Sequence, residues 1–572
     1  MKDKEEFFNL LMEIEGKEFR EYSRLIGDFD FTRYVLKINQ VQEPASGQST
    51  LLLIRVPQII AGFPAHLSNT PVRRTALEDF LVRKLSARLE TLARYDREGI
   101  SRRRIPLYAP GQAILPRTSL LVADDYIEAR LYLDLPARHG CVAADSAKEV
   151  FFEDLPAVVN TSLIYCNLNQ REVEDFVNLM EDADQIRQVL STRGWIGFVG
   201  EGAMLARAGE SDAPDYELMT PLAIEDSLAV EVDVPNAGRL RGFGVPAGIT
   251  VILGDRYSGR VDLMRALSAG IYNHIPGDGR EWVVTLPDTV QVVAEAGRSV
   301  QQVDVSAFLR EHPACPDVKR FTCVSADACA AQVAGTVEAI EAGARVLLFD
   351  ESTSTAEFLS GDSRTIGLLP AGNRQVIPLA WRARQMVEEL GLSIVVAGSA
   401  AVTDLIAVAD TVLLVEGFKV TDITKQARDL AIPAPPTPPS AAEIAALAEP
   451  SRWIIPISID PSQDRYDAVI AAPNIRTLVF GRSVIDLSGL PQLADIYQAR
   501  TIGRILYYAK LRYLDEPRSV REILDLVDRD LSTEGLESLT RDLRGDLARP
   551  RRYEIAAALN RLDTLRVAHA GR

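Results

Sequence analysis

The stretch Thr250–Leu267, TVILGDRYSGRVDLMRAL, sets an apolar strand, a glycine, four residues, a second glycine and an amphipathic helix start in succession. That is the build of a phosphate-binding P-loop, whose pattern is G-x-x-x-x-G-K-[ST]. Gly254 and Gly259 hold the required spacing, with Tyr257 and Ser258 between them. The pattern then requires a lysine and a hydroxyl residue; here Arg260 and Val261 follow, and then Asp262. In a working loop, backbone N–H groups and a helix N-terminus cradle the phosphates. The lysine reaches the β- and γ-phosphates and the hydroxyl holds Mg²⁺. Arg260 keeps the charge in a longer, planar group that does not replace lysine conservatively, and Val261 has no oxygen for a metal. Taken alone, so degenerate a loop also reads as a structural turn in an α/β sheet.

A second motif shifts that balance. ARVLLFDESTST, from Ala344 to Thr355, ends an apolar strand in Asp350-Glu351 roughly ninety residues after the loop. This is the Walker B pattern: Asp350 would face Mg²⁺, and Glu351 would polarise the attacking water as catalytic base. Solvent-facing acids at a strand end are the commoner alternative for an isolated pair, but not for one at this distance behind a P-loop.

Around these motifs, residues 231–430 carry short, nearly continuous apolar strands: GITVILG, WVVTLP, RVLLFDE, LSIVVAGS and TVLLVEG. Such runs suggest strands buried on both faces, and helices between them give a parallel α/β core. Residues 1–230 read as a separate α/β domain. RYVLKINQVQ and STLLLIRVP are expected to pair as strands, a long helix is expected from Arg73, a hairpin with Asp124 and Asp125 at its turn, and helices over 144–195. Residues 431–450 form a proline-rich linker, and 451–572 a mainly helical C-terminal domain.

The chain's 572 residues exceed one core, and a formal charge of -17 disfavours whole-surface binding to nucleic acid or anionic lipid. Five cysteines without C-x-x-C spacing give no zinc framework and fit a reducing compartment. No apolar run reaches the ~20 residues of a membrane span, and the charged first residues lack a signal-peptide core. A cytoplasmic location without membrane attachment is the expectation.

Longer segments carry a resemblance. IGDFDF, AGFPAHLSNTPVRRTALEDFLVRK, PGQAILPRTSLLVADDYIEARLYLDLPA, VPNAGRLRGFGVPAGITVILG, YNHIPGDGRE, DLSGLPQLADIYQARTIG and GDLARPRRYEIAAALNRL together span nearly the whole chain. The chain resembles the ABC-class ATPases with family-specific N- and C-terminal domains. The resemblance implies a P-loop NTPase core, ATP and Mg²⁺ as cofactors, and a homodimer. The family loop is approximately G-G-G-Y/F-H-G-K-S-T; Gly254, Tyr257 and Gly259 match it, and Arg260, Val261 and Asp262 replace its Lys-Ser-Thr. The family signature, approximately S-G-S-T-S-Q, falls on FTCVSADACAAQ, where Asp327, Ala328 and Cys329 depart from it and Gln332 remains. Gly398-Ser399-Ala400-Ala401 departs from a glycine-rich switch, and EGISRRRIPLYAPGQ from a glycine-rich N-terminal stretch.

In the dimer that the resemblance implies, the signature faces the γ-phosphate bound by the other protomer. Asp327 would there oppose a triphosphate by roughly 4 kcal/mol per unit charge at ~4 Å and an effective dielectric of ~20. The expectation is a pseudo-ATPase: a dimeric scaffold or binding protein in which Arg260 of one chain pairs with Asp327 of the other. A residual ATP-hydrolysing enzyme is the alternative, and pairing with an intact paralogue a further one. Some relatives bind RNA, which makes Arg102, Arg103, Arg104, Arg549, Arg551, Arg552 and Tyr553 candidates, against the reading that they make helix-start contacts. Cys329, near a helix N-terminus, is a candidate for a lowered thiol pKa. His274 is expected to pack or to form a turn.

Overall fold

The computed structural model describes residues 1–572 except 42–48, 93, 96–100, 103–104, 210–211, 216, 218–219, 314, 361–374, 432–443, 450–451, 464–467 and 569–572. Most of the proline-rich segment, and Arg103 and Arg104, therefore lie outside the described residues. The chain divides into two compact units, Met1–Glu181 with Thr540–Arg549, and Asp182–Leu539 with Pro550–Arg572.

The second unit is built on a seven-stranded sheet. Its strands and the two helices nearest the motifs are β1 (Ala223–Ile224), β2 (Ile249–Leu253), α1 (Arg260–Ala269), β3 (Thr289–Gln291), α2 (Ala328–Glu341), β4 (Val346–Asp350), β5 (Ser393–Gly398), β6 (Thr411–Glu416) and β7 (Lys419–Asp422). The order across the sheet is β1-β7-β6-β2-β5-β4-β3. The five strands from β6 to β3 run parallel, and β7 returns antiparallel to β6. Every residue of β4 and β5 is buried, as their unbroken apolar runs require. On one face, Leu263, Met264, Ala266 and Leu267 of α1 pack with Ile252, Leu348, Val395 and Leu413. Placing β5 between β2 and β4 brings the ends of three strands, and the loops that follow them, to one edge.

WVVTLP does not join that sheet. Val283–Thr285 forms the edge of a four-stranded antiparallel sheet in the order Val230–Val234, Gly238–Pro246, Trp195–Gly200, Val283–Thr285. A short apolar run does not itself reveal which sheet buries it. The same unit carries the helices Ile496–Arg512, Val520–Thr533 and Arg552–Asn560, together with a three-stranded meander over Ile470–Asp486.

The first unit has a six-stranded sheet in which Val35–Ile38 pairs with Thr50–Pro57, and Leu120–Val122 with Tyr126–Leu133. The helix Pro71–Thr91 begins two residues before Arg73, with Pro71 at its first position and Thr70 capping the Arg73 N–H, the placement that proline and a hydroxyl favour. Helices fill most of 144–192, and Trp195 opens a strand. Residues 540–549 complete this unit: the Thr118 N–H donates to Leu547 O at 3.0 Å and Ser119 Oγ to Gly545 O at 2.7 Å.

Candidate functional site

The loop between β2 and α1 keeps a tight, glycine-dependent turn. Gly259 stands at φ +94°, in the left-handed region open to glycine, and a Cβ there would lie 2.7 Å from the Phe418 ring. A Cβ on Gly254 would lie 2.5 Å from Ser258 Oγ and 2.7 Å from the Val415 carbonyl. Ser258 pins the loop: its Oγ donates to Asp255 O at 2.9 Å and accepts from the Arg260 N–H at 3.3 Å. From the β6–β7 turn, the Phe418 N–H donates to Ser258 O at 2.8 Å. Tyr257 at the tip is exposed. The first helical N–H bond is Leu263 N–H to Gly259 O at 2.9 Å.

The side chains after Gly259 point to other business. Arg260 is buried, and its Nη1 lies 3.8 Å from Asp350 Oδ1 at the end of β4. Neither Nε nor Nη1 of Arg260 has a hydrogen-bond partner, and neither does Asp350 Oδ2. Asp350 Oδ1 accepts from the Ser352 N–H at 2.8 Å and Ser352 Oγ at 2.6 Å. Val261 is half-buried and aliphatic. Burial raises the pKa of the Asp262 carboxyl, against the opposing fields of Arg280, Arg265 and Arg207.

Glu351 is held from the β5 side. Its Oε2 accepts from the Ser399 N–H and, at 3.1 Å, from Ser399 Oγ, and its Oε1 from the Ala401 N–H at 3.0 Å. Burial alone would raise this carboxyl, but those donors, with the Arg260 charge, bring it below its ordinary pKa. Residues 399–401, at the expected switch position, thus hold the Glu351 carboxylate in place.

The residues at the expected signature positions make contacts within the chain. Asp327 caps α2, accepting from the Cys329 N–H at 3.0 Å and the Ala330 N–H at 3.1 Å, with His312 Nε2 2.7 Å from its other oxygen. Ala328 opens the helix. Within the chain, Arg260 faces Asp350 and Asp327 faces His312. Gln332 is fully buried, and its Oε1 accepts from the Thr355 N–H at 2.9 Å, tying α2 to the loop after β4. The expectation for Cys329 is overturned: burial pushes its thiol up to about 11, outweighing the helix terminus.

The C-terminal arginines are engaged within the chain. Arg551 reaches Pro287 O at 2.9 Å and Thr289 O at 2.7 Å, Arg552 pairs with Asp525 at 2.7 Å, and Tyr553 donates to Asp288 at 3.0 Å. The Arg549 N–H donates to Pro116 O at 3.0 Å within the first unit. Arg102 lies in a short strand, Ser101–Arg102. His274 lies 2.8 Å from Asp278, which also pairs with Arg207 at 2.7 Å. That buried cluster, with Arg280, was legible only as the motif YNHIPGDGRE.

Mg²⁺ does not fit these residues. A cation bridging Asp350 and the position of Val261 would find no oxygen on Val261 and the guanidinium of Arg260 beside Asp350.

Three family descriptions match the chain: the N-terminal domain of ATPases of the ABC class over residues 4–166, the P-loop domain of ABC ATPases over 169–446, and the MRB1590 C-terminal domain over 469–568. An uncharacterized protein of Methanocaldococcus jannaschii, MJ1628, is 22% identical over 249 residues, which is 41% of this chain and 53% of that protein. The chain thus spans about half the length of this curated relative. Among solved structures, cbiO1 from Clostridium perfringens, part of the ABC transporter complex cbiONQ, is similar at 14% identity and a TM-score of 0.24, over 40% of this chain and 87% of that one. A bacterial Atm1-family ABC exporter with ATP bound is similar at 11% identity and a TM-score of 0.24, over 49% and 45%. Among the described residues, no helix is long and apolar enough to cross a membrane. With the P-loop turn, the acidic strand end and two adjoining family matches over residues 4–446, the chain belongs to the ABC-class ATPases.

Proposed function

We propose that this protein is a pseudo-ATPase: it keeps the ABC-class architecture as a dimeric scaffold or binding protein, and it does not turn over ATP. The observation that carries this reading is the state of Glu351. Both its oxygens are engaged by the 399–401 loop, and its pKa lies below the ordinary range. A general base works best with a pKa near the operating pH, so this carboxylate is both poorly basic and already in use. The missing oxygen at Val261 supports the same conclusion.

Steady-state hydrolysis of Mg²⁺-ATP by the full chain, beside Glu351→Gln, tests it. The expected result is the same background rate for both proteins. Turnover by the wild type that disappears in Glu351→Gln would establish the second reading, a residual ATPase. That reading is favoured by the retained Asp350-Glu351 pair and the intact turn at Gly254 and Gly259.

A further inference from the structure

We infer that the Arg260 guanidinium is a resident counter-cation of Asp350, and that this residue determines the site's specificity by excluding divalent metal. The inference deepens the pseudo-ATPase reading and rests on the loop's being a former nucleotide site.

Asp350 is almost wholly buried at 2% exposure, and Arg260 is 6% exposed. Buried charges are paired with an opposite charge or coordinate a metal. Arg260 Nη1, 3.8 Å from Asp350 Oδ1, is the charge that the structure places there. The geometry is that of charge compensation rather than of a fork-to-fork hydrogen-bonded pair, because Nε, Nη1 and Asp350 Oδ2 remain without hydrogen-bond partners. Lysine, with a compact ammonium on a flexible stem, leaves room for a second cation beside the acid; the planar guanidinium is broader and its charge is spread. Val261 next to it removes the oxygen with which the chain would otherwise hold a metal. At 260 the charge is kept and its shape is changed, and at 261 an oxygen is lost; together they leave Asp350 facing the chain's own guanidinium.

Mn²⁺ binding to the full chain without nucleotide, read by electron paramagnetic resonance, tests this together with thermal melting. The wild type should bind no Mn²⁺ at Asp350, and millimolar Mn²⁺ should leave its melting midpoint unchanged. Arg260→Ala should melt lower and recover part of the lost midpoint on addition of free guanidinium ion. Arg260→Lys/Val261→Ser, which keeps the charge, restores the oxygen and guards against a variant that fails to fold, should bind Mn²⁺, whereas Val261→Ser alone should not. Adding Asp350→Asn to the double variant should abolish that binding. Mn²⁺ binding by the wild type or by Val261→Ser that Asp350→Asn removes would overturn the inference. So would a folded Arg260→Lys/Val261→Ser protein that binds no Mn²⁺. Neither outcome bears on turnover, which the Glu351→Gln comparison decides separately.

Discussion

Cys329 shows how two opposed influences on one side chain are resolved by magnitude. The N-terminus of α2 favours a thiolate, but the thiol is 7% exposed and its pKa is pushed up to about 11. At neutral pH it should resist alkylation in the native protein and react only on unfolding, while exposed Cys166 reacts at once. Mass spectrometry of iodoacetamide-treated native and denatured protein reads this directly, and rapid native labelling of Cys329 would contradict it. Glu351 carries a pH prediction. Its folded pKa lies below its unfolded value, so its contribution is fully present above the unfolded pKa of about 4.3 and is lost as pH falls through the lower folded value. The stability difference between wild type and Glu351→Gln should hold from neutrality down to about pH 4.3 and shrink only below it. Of these details the sequence displayed the residue types alone. That Asp327 caps a helix and that Glu351 is tethered from 399–401 depends on backbone N–H groups, which every residue carries and no motif marks.

At the scale of elements, two glycines that look alike in sequence behave oppositely. Gly259 begins α1 at φ +94° with the Phe418 ring against it, so Gly259→Ala should lower stability by at least about 1 kcal/mol. Gly335 lies inside α2, where the nearest atoms to an added Cβ are Val292 Cγ1 at 3.5 Å and Arg298 Nη2 at 3.7 Å. It also borders a cavity of about 50 Å³. Gly335→Ala should therefore stabilise by about 0.5–1 kcal/mol, the helix preference of alanine over glycine. Chemical denaturation of both variants checks the pair, and a stabilised Gly259→Ala would show that the turn is not strained as described. The strands of the core were legible because burial on both faces leaves unbroken apolar runs; β2, β4, β5 and β6 all lie where those runs do. Val283–Thr285 has the same appearance and lies in an antiparallel sheet, because what distinguishes it is its neighbours in space.

For the whole molecule, the chain's organisation was legible in outline and its division was not. An N-terminal α/β region, a P-loop core and a largely helical C-terminal region follow from periodicity and composition, whereas the return of residues 540–549 to complete the first unit rests on long-range pairing. Gly545 is the tightest point of that return: a Cβ would lie 2.5 Å from the Arg130 carbonyl and 2.9 Å from its Cβ. Gly545→Ala should destabilise the first unit by about 1–3 kcal/mol, the usual range for overpacking. Proteolysis of the native variant should then cut first within residues 1–181 or 540–549; an unchanged digestion pattern and melting curve would show that the segment docks loosely. In the RPRRYE segment, where arginines beside a tyrosine suit phosphate contact and base stacking, Arg551, Arg552 and Tyr553 reach Pro287, Thr289, Asp525 and Asp288 within the chain, pairings that the sequence did not display.

On the pseudo-ATPase reading, the P-loop turn is retained and the chain's own guanidinium stands beside Asp350 where nucleotide chemistry would need a metal. Calorimetric titration of the full chain with ATP, in Mg²⁺ and again in EDTA, separates that reading from a residual ATPase. The expected result is no Mg²⁺-dependent binding at millimolar ATP. Tight binding that requires Mg²⁺ and is lost in Asp350→Asn would contradict it.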